Sequence, residues 1–174
     1  MEKEINFQQL GMGIASITFG VALSIFIYAA ASGLLSSAQA ILLYITSFLL
    51  MLRFWWRYTE LFIQFLPSRS FWQFLFDFAI SFFGILAVMF IGNIQLWALL
   101  GAAAMTASII RCRLSWKHDK TKHELKRTVS GAVLMLAIFS VVYALAPVIN
   151  NLYIAGTVFM VVLLFVVSTS FKRQ

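Results

Sequence analysis

The sequence is poor in charge, since Asp, Glu, Lys and Arg make up 11% of its 174 residues while 62% are hydrophobic. Its mean hydropathy is +0.93. Soluble globular domains carry about 25% charged residues, so this composition excludes that class. Cysteine is also scarce, because Cys112 stands alone, which excludes a disulfide within the chain. The composition predicts an integral membrane protein.

Six apolar stretches fill most of the chain, and each is close to the ~20 residues that a helix needs to cross a bilayer core. They cover residues 10–31, 38–58, 71–91, 94–110, 129–146 and 152–171. The stretches are continuous rather than alternating, which favours helices over the strands of a β-barrel. Because the connections are short, we expect one all-α domain over residues 1–174, a bundle of six transmembrane helices.

Basic residues mark one side of this predicted bundle. All thirteen Lys and Arg residues fall before the first stretch, around the second turn, in the loop 111–127 or at the end of the chain. The turns at 32–37, 92–93 and 147–151 hold no charge of either sign. Since Lys and Arg in short loops resist translocation, both termini and the basic loop are predicted to be cytoplasmic. We expect a multi-pass protein of the cell (inner) membrane.

The net charge of +7 favours lipid over nucleic acid as the partner. The basic residues lie at helix ends and in one short loop, not on a folded soluble domain. Attraction to anionic headgroups of the cytoplasmic leaflet explains the same charge. His118 and His123 lie in the basic loop with no acid or thiol at ligand spacing. We therefore expect no metal, no other cofactor and no enzyme activity.

Asp77 is the only acid well inside an apolar stretch, about two helical turns into the third. A charge there costs at least ~2.5 kcal/mol unless it is paired or faces water. If helices two and three form a hairpin near Pro67, Arg57 lies opposite Asp77 and Arg53 about one turn deeper. Arg53, Arg57 and Glu60 share one helix face. We predict a network of Arg53, Arg57, Glu60 and Asp77 that either clamps the two helices or serves an ion or proton pathway.

The first stretch is the least bulky, with Gly13, Gly20 and Ser24 on one helical stripe. Small residues let helices approach closely, so the stripe predicts tight packing against a neighbouring helix or subunit. Lining a central pathway is the alternative. A second group of small residues, at 101–104 and 107–108, predicts another packing seam.

Residues 41–171 resemble, in their pattern, the six-helix potassium channels of lysosomes and bacteria that lack a P-loop. The shared features are Tyr44, Ser47 and Phe48, aromatic and charged residues over 54–62, a third helix without proline, and an Arg-Thr-Val-Ser-Gly start to a fifth helix ending in Ala146-Pro147. The family's signature at the start of helix one is missing from this chain. The resemblance implies an oligomer around a pore lined by helix one, through residues such as Ile17, Gly20 and Ser24.

Two functions fit these observations. The first is an oligomeric channel or small transporter, cation conduction included, with helix one at the pathway. The second is a non-transporting accessory, assembly or immunity-type subunit whose helices bind another membrane protein. The spans offer few polar residues, which favours a hydrophobically gated pore or an accessory subunit over a dedicated solute carrier.

Overall fold

The computed structural model describes residues 7–63, 70–116 and 122–171, and this part of the chain contains six α-helices and no strand. The helices are α1 (Phe7–Ala31), α2 (Ala38–Arg57), α3 (Phe71–Met89), α4 (Ile94–Leu114), α5 (Lys122–Leu145) and α6 (Asn151–Phe171). A π-helical segment, Tyr58–Ile63, continues α2. The predicted all-helical bundle of six helices is confirmed. Among the described residues, α2 to α6 are long and apolar enough to cross a membrane.

Polar residues in the uncharged turns fix where two of the helices begin. The side chains of Ser37 and Asn93 accept hydrogen bonds of 3.1 Å from the backbone N–H groups of Ala40 and Leu96. These bonds satisfy donors that the first helical turn leaves unpaired. Gly33, in the turn between α1 and α2, has a φ of +76°, a conformation that glycine adopts at no steric cost.

The central helix is α4, which packs closely against α3 on one side and α5 on the other. The remaining strong contact joins α2 and α6, while α1 lies against α3 and more lightly against α2. Small side chains allow the central packing, because Gly101, Ala104, Ala107 and Ser108 of α4 are all buried. A Cβ atom at Gly101 would lie 2.6 Å from the ring of Phe139. The predicted packing seam in this helix is therefore present.

The largest core cluster lies at the end of the bundle that contains the α3–α4 turn. Its centre is Trp97, whose ring meets that of Phe139 edge-on with 5.1 Å between the centroids. The indole N–H of Trp97 donates a 2.8 Å hydrogen bond to Ser47 Oγ, and this hydroxyl donates to the carbonyl of Leu43. The buried indole N–H of α4 thereby has a hydrogen-bond acceptor on α2.

The exterior of the bundle is strongly apolar. Side chains such as Ile17, Ile27, Val148 and Leu164 are 64–81% exposed. A soluble monomer rarely exposes large continuous apolar patches, whereas lipid tails favour such a surface. The chain is a multi-pass membrane protein. Which side of the membrane each turn faces stays a prediction from the distribution of basic residues.

Candidate functional site: a buried ion pair at the end of an interior cavity

Asp77 and Arg111 form an ion pair inside the bundle. Arg111 Nε donates a hydrogen bond of 2.9 Å to Asp77 Oδ1, and the Arg111 and Asp77 side chains are 0% and 8% exposed. The two residues come together because α3 and α4, which carry them, pack closely. A buried charge of either sign would be costly alone, so each residue compensates the other.

Neutral polar groups complete the surroundings of this pair. The guanidinium also donates to Ser115 Oγ, one turn further along the chain. Gln73 Nε2 donates to the same hydroxyl at 3.4 Å. The Tyr58 hydroxyl also interacts with the Asp77 carboxylate. The ion pair is therefore part of a connected polar network, in which the loss of one member affects the others.

The π-helical segment places Tyr58 beside the ion pair. α2 ends at Arg57, and Tyr58 is the first residue of the π-helical turns. Such turns are rare and occur frequently at functional sites. The ring of Tyr58 is buried against Cys112 and Leu125, which belong to α4 and α5. Tyr58 thus closes the end of the bundle from which the basic loop emerges.

A second charged cluster joins α2 to α5. Arg57 donates 3.0 Å hydrogen bonds to Glu124 Oε2 and Thr128 Oγ1, and it reaches Glu60 Oε2 at 3.5 Å. The Arg57 side chain is 13% exposed, but those of Glu60 and Glu124 are 36% and 41% exposed. The predicted contact between Arg57 and Glu60 is present, and it lies at the rim of the bundle.

The predicted four-residue network is wrong in its central pairing. Asp77 takes Arg111 as its ion-pair partner instead of Arg57 or Arg53, while Arg57 pairs with Glu60 and with a carboxylate of α5. The physical reason is that α3 packs against α4 far more extensively than against α2. Arg53 forms no ion pair with any residue that the structure describes.

A cavity extends from the ion pair into the space between α1, α2, α3 and α4. About 120 Å³ is open to the centre of a water-sized molecule, well above the ~10–15 Å³ that one water needs. The wall is mainly apolar, and its polar side chains are Thr18, Ser47, Tyr58, Asp77, Ser81 and Trp97. Asp77 is the charged side chain among these described lining residues. One partner of the buried ion pair therefore borders open space.

The face of α1 that meets the bundle carries alanine and phenylalanine. Ala22, Phe26 and Ala29 are at most 5% exposed and recur at the spacing of one helix face. Phe26 packs against Val88 of α3, and its carbonyl accepts a 3.1 Å hydrogen bond from the Tyr44 hydroxyl. This face of α1 forms one wall of the cavity.

The predicted stripe of α1 lies on the opposite, outer face. Gly13, Ile17, Gly20 and Ser24 are all exposed, and a Cβ atom at either glycine would meet nothing within 4 Å. Ser24 Oγ donates to the carbonyl of Gly20 in its own helix, so the hydroxyl needs no outside partner. The expectation that this stripe packs against a helix of the same chain, or lines a pathway within it, is wrong. Contact with a second subunit stays a prediction.

Arg111 and Tyr58 belong to the site although the sequence pattern did not indicate them. One signal for Arg111 was available, because the fourth stretch, residues 94–110, falls short of the ~20 residues of a full span. Extending it by one turn brings Arg111 into the membrane, where a cation needs a carboxylate. No comparable signal existed for Tyr58, since its position depends on the π-helical turn that follows α2.

In residues 7–63, 70–116 and 122–171, no group of three or more His, Cys, Asp and Glu side chains could hold a metal ion. His123 is 89% exposed with its Nδ1 atom 3.9 Å from Glu124. His118 lies outside the described residues.

Comparison with protein-family models, with curated proteins and with solved structures found no match to this chain.

Proposed function

We propose that this protein is a channel or small transporter, and that the cavity between α1, α2, α3 and α4 is part of its pathway. The supporting observation is that Asp77, a charged residue inside the membrane-spanning bundle, borders the cavity. Intramembrane carboxylates that face a cavity typically mark ion or proton pathways. A purely structural ion pair needs no adjacent space.

A carboxylate at the end of the cavity favours a cation or a proton as the transported species. Asp77 is held by Arg111 in this arrangement, so an entering cation competes with the guanidinium for the carboxylate oxygens. Ser115, on the other side of Arg111, already accepts one of its hydrogen bonds. A cation bound at Asp77 adds one positive charge to the interior, because Arg111 stays buried beside the neutral Ser115 hydroxyl, and the repulsion between the two cations favours its release.

The apolar wall of the cavity suits a hydrophobic gate. Phe19 of α1 stacks on Trp55 of α2 with 4.4 Å between the ring centroids, and both rings line the cavity. Narrow apolar constrictions exclude water and ions until they widen. Separation of these two rings would widen the apolar part of the cavity, so α1 takes part in the pathway through its inner face.

Ion flux into liposomes containing the purified protein tests this proposal, with K⁺, Na⁺, H⁺ and Cl⁻ measured separately. Gly84→Leu is the informative variant, because Gly84 lines the cavity and a Cβ atom there would meet nothing within 4 Å. The added side chain occupies the cavity without displacing the backbone. Gly156→Leu is the matched control, since Gly156 has equal space around it but lies on α6, away from the cavity. We expect cation flux that Gly84→Leu blocks and Gly156→Leu leaves intact.

The resemblance to potassium channels gives a competing location for the pathway, on the outer face of α1 at an oligomer axis. Gly20→Leu separates the two locations, because Gly20 is exposed on that face. Loss of K⁺ flux in Gly20→Leu but not in Gly84→Leu would place the pore between subunits and contradict the cavity pathway. The opposite result supports the cavity.

An accessory subunit remains the alternative from a different class. It predicts a folded protein that carries none of the four ions, with or without substitution at Gly84. The exposed small residues of α1 would then be the first surface to examine for a membrane-protein partner.

A further inference from the structure

Two arginines near the basic end of the bundle have no ion-pair partner among the described residues. They are Arg53 of α2 and Arg127 of α5, and both are half-buried. The charges that act on Arg53 are those of Arg57, Glu60 and Arg127. Arg57 and Arg127 repel Arg53, and the Glu60 carboxylate offsets this repulsion only in part.

The bond between Arg57 and Glu124 shows how deep Arg53 and Arg127 lie along their helices. That bond is 3.0 Å long and joins α2 to α5. Arg53 precedes Arg57 by one helical turn, and Arg127 follows Glu124 by three residues on a helix that runs in the opposite sense. Both arginines therefore lie about one helical turn deeper along the helix axes than the bond between Arg57 and Glu124.

This level falls within the membrane. At 1.5 Å per residue, Arg53 lies about 22 Å from the start of α2 at Ala38, and the hydrocarbon core is about 30 Å thick. By the same rule Arg127 lies about 27 Å from the end of α5 at Leu145. Long arginine side chains at this depth extend towards the headgroup layer and require an anion there.

We propose that Arg53 and Arg127 form a binding site for a phosphate group at the edge of the membrane between α2 and α5. Among the described residues of this region, Arg57 forms ion pairs with both Glu60 and Glu124, whereas Arg53 and Arg127 form none. Guanidinium groups bind phosphate oxygens with paired, charge-assisted hydrogen bonds. Both arginine side chains are partly exposed, so a ligand can reach them.

A phospholipid headgroup and free phosphate offer the same chemistry, and a retention experiment with both distinguishes the two sources. The full-length protein is purified in detergent, incubated with phosphatidylglycerol or phosphatidylcholine, and examined by native mass spectrometry. A parallel arm follows thermal unfolding in millimolar inorganic phosphate. The test variant is Arg53→Gln with Arg127→Gln, and the control is Arg113→Gln, an exposed arginine near the end of α4.

We expect the wild-type protein and Arg113→Gln to retain phosphatidylglycerol over phosphatidylcholine. Retention should fall roughly tenfold or more in the double variant, because two charge-assisted contacts are lost. If the double variant does not fold, Arg53→Lys serves instead, since it keeps the charge but loses the paired geometry and should lower retention partially.

Equal retention of phosphatidylglycerol in all variants would overturn the site. So would a loss in Arg113→Gln as large as in the double variant, because only a diffuse attraction of the lipid to the basic surface would then be left. Stabilisation by inorganic phosphate that depends on Arg53 and Arg127, without preference for phosphatidylglycerol, would assign the same site to a free phosphate ion. These outcomes do not depend on whether the cavity conducts ions.

Discussion

The two charged clusters of this bundle contain nearly the same bond in different surroundings. Arg111 meets Asp77 at 2.9 Å, and Arg57 meets Glu124 at 3.0 Å. The first pair is almost completely buried, whereas 41% of the Glu124 side chain is exposed. Because the attraction between two charges depends on the medium as well as the distance, equal lengths do not mean equal consequences. Burial therefore decides which of the two pairs the protein depends on.

The clusters also differ in the helices that they join. α3 and α4 pack closely along the bundle, so their interface does not depend on the interior pair alone. α2 and α5 have few close backbone contacts and are linked by the cluster around Arg57, beside a small apolar contact that includes Phe54 and Val129. The interior pair is therefore better suited to a function in the cavity. The rim cluster is better suited to setting the relative position of two helices.

The largest effect should follow from breaking the interior pair. Asp77→Asn leaves Arg111 as an uncompensated buried charge, which typically costs ~3–5 kcal/mol. Asp77→Asn combined with Arg111→Gln removes both charges and should restore most of the lost stability, since no ion is then left unpaired. Thermal unfolding in detergent, followed by size-exclusion fluorescence, measures both variants. If Asp77→Asn alone unfolds at the wild-type temperature, the pair is not a structural requirement of the bundle.

A smaller loss is expected when the interior network loses one neutral member. Tyr58→Phe removes the hydroxyl that interacts with the Asp77 carboxylate but keeps the buried ring. Loss of a polar contact with a buried charge should lower the unfolding temperature measurably. Tyr153→Phe is the control, because Tyr153 is 72% exposed. Equal stability of the two variants would show that the π-helical segment does not support the ion pair.

The sequence predicts the helices of this protein well because they depend on local properties. A continuous apolar run of about 20 residues has few alternatives in a membrane, where every backbone polar group needs a partner within its own segment. Ser37 and Asn93 set helix starts through bonds that span three residues. Such contacts can be recognised without knowing which helices are neighbours.

The site was predicted only in part, because its geometry depends on which helices pack together. Depth along the third span identified Asp77 as a buried charge that requires a partner. Hydropathy does not indicate which neighbour a helix turns its face to, so Arg57 was as plausible as Arg111. The stripe at Gly20 does not contact another helix of the same chain for the same reason, since small residues allow contact but do not show where it occurs, and its contact with a second subunit stays a prediction.

The smallest effect should come from the rim cluster. Glu124→Gln removes the partly exposed carboxylate of its 3.0 Å bond, and Arg57 keeps Glu60 and the Thr128 hydroxyl. Partly exposed ion pairs contribute ~0.2–1 kcal/mol because water and salt screen them. A double-mutant cycle over Arg57→Gln and Glu124→Gln should give a coupling energy in that range, and 0.5 M salt should lower it. The interior cycle over Asp77→Asn and Arg111→Gln should give a larger coupling energy that salt hardly changes. If both cycles gave equal coupling energies with equal sensitivity to salt, burial would not be what distinguishes the two clusters.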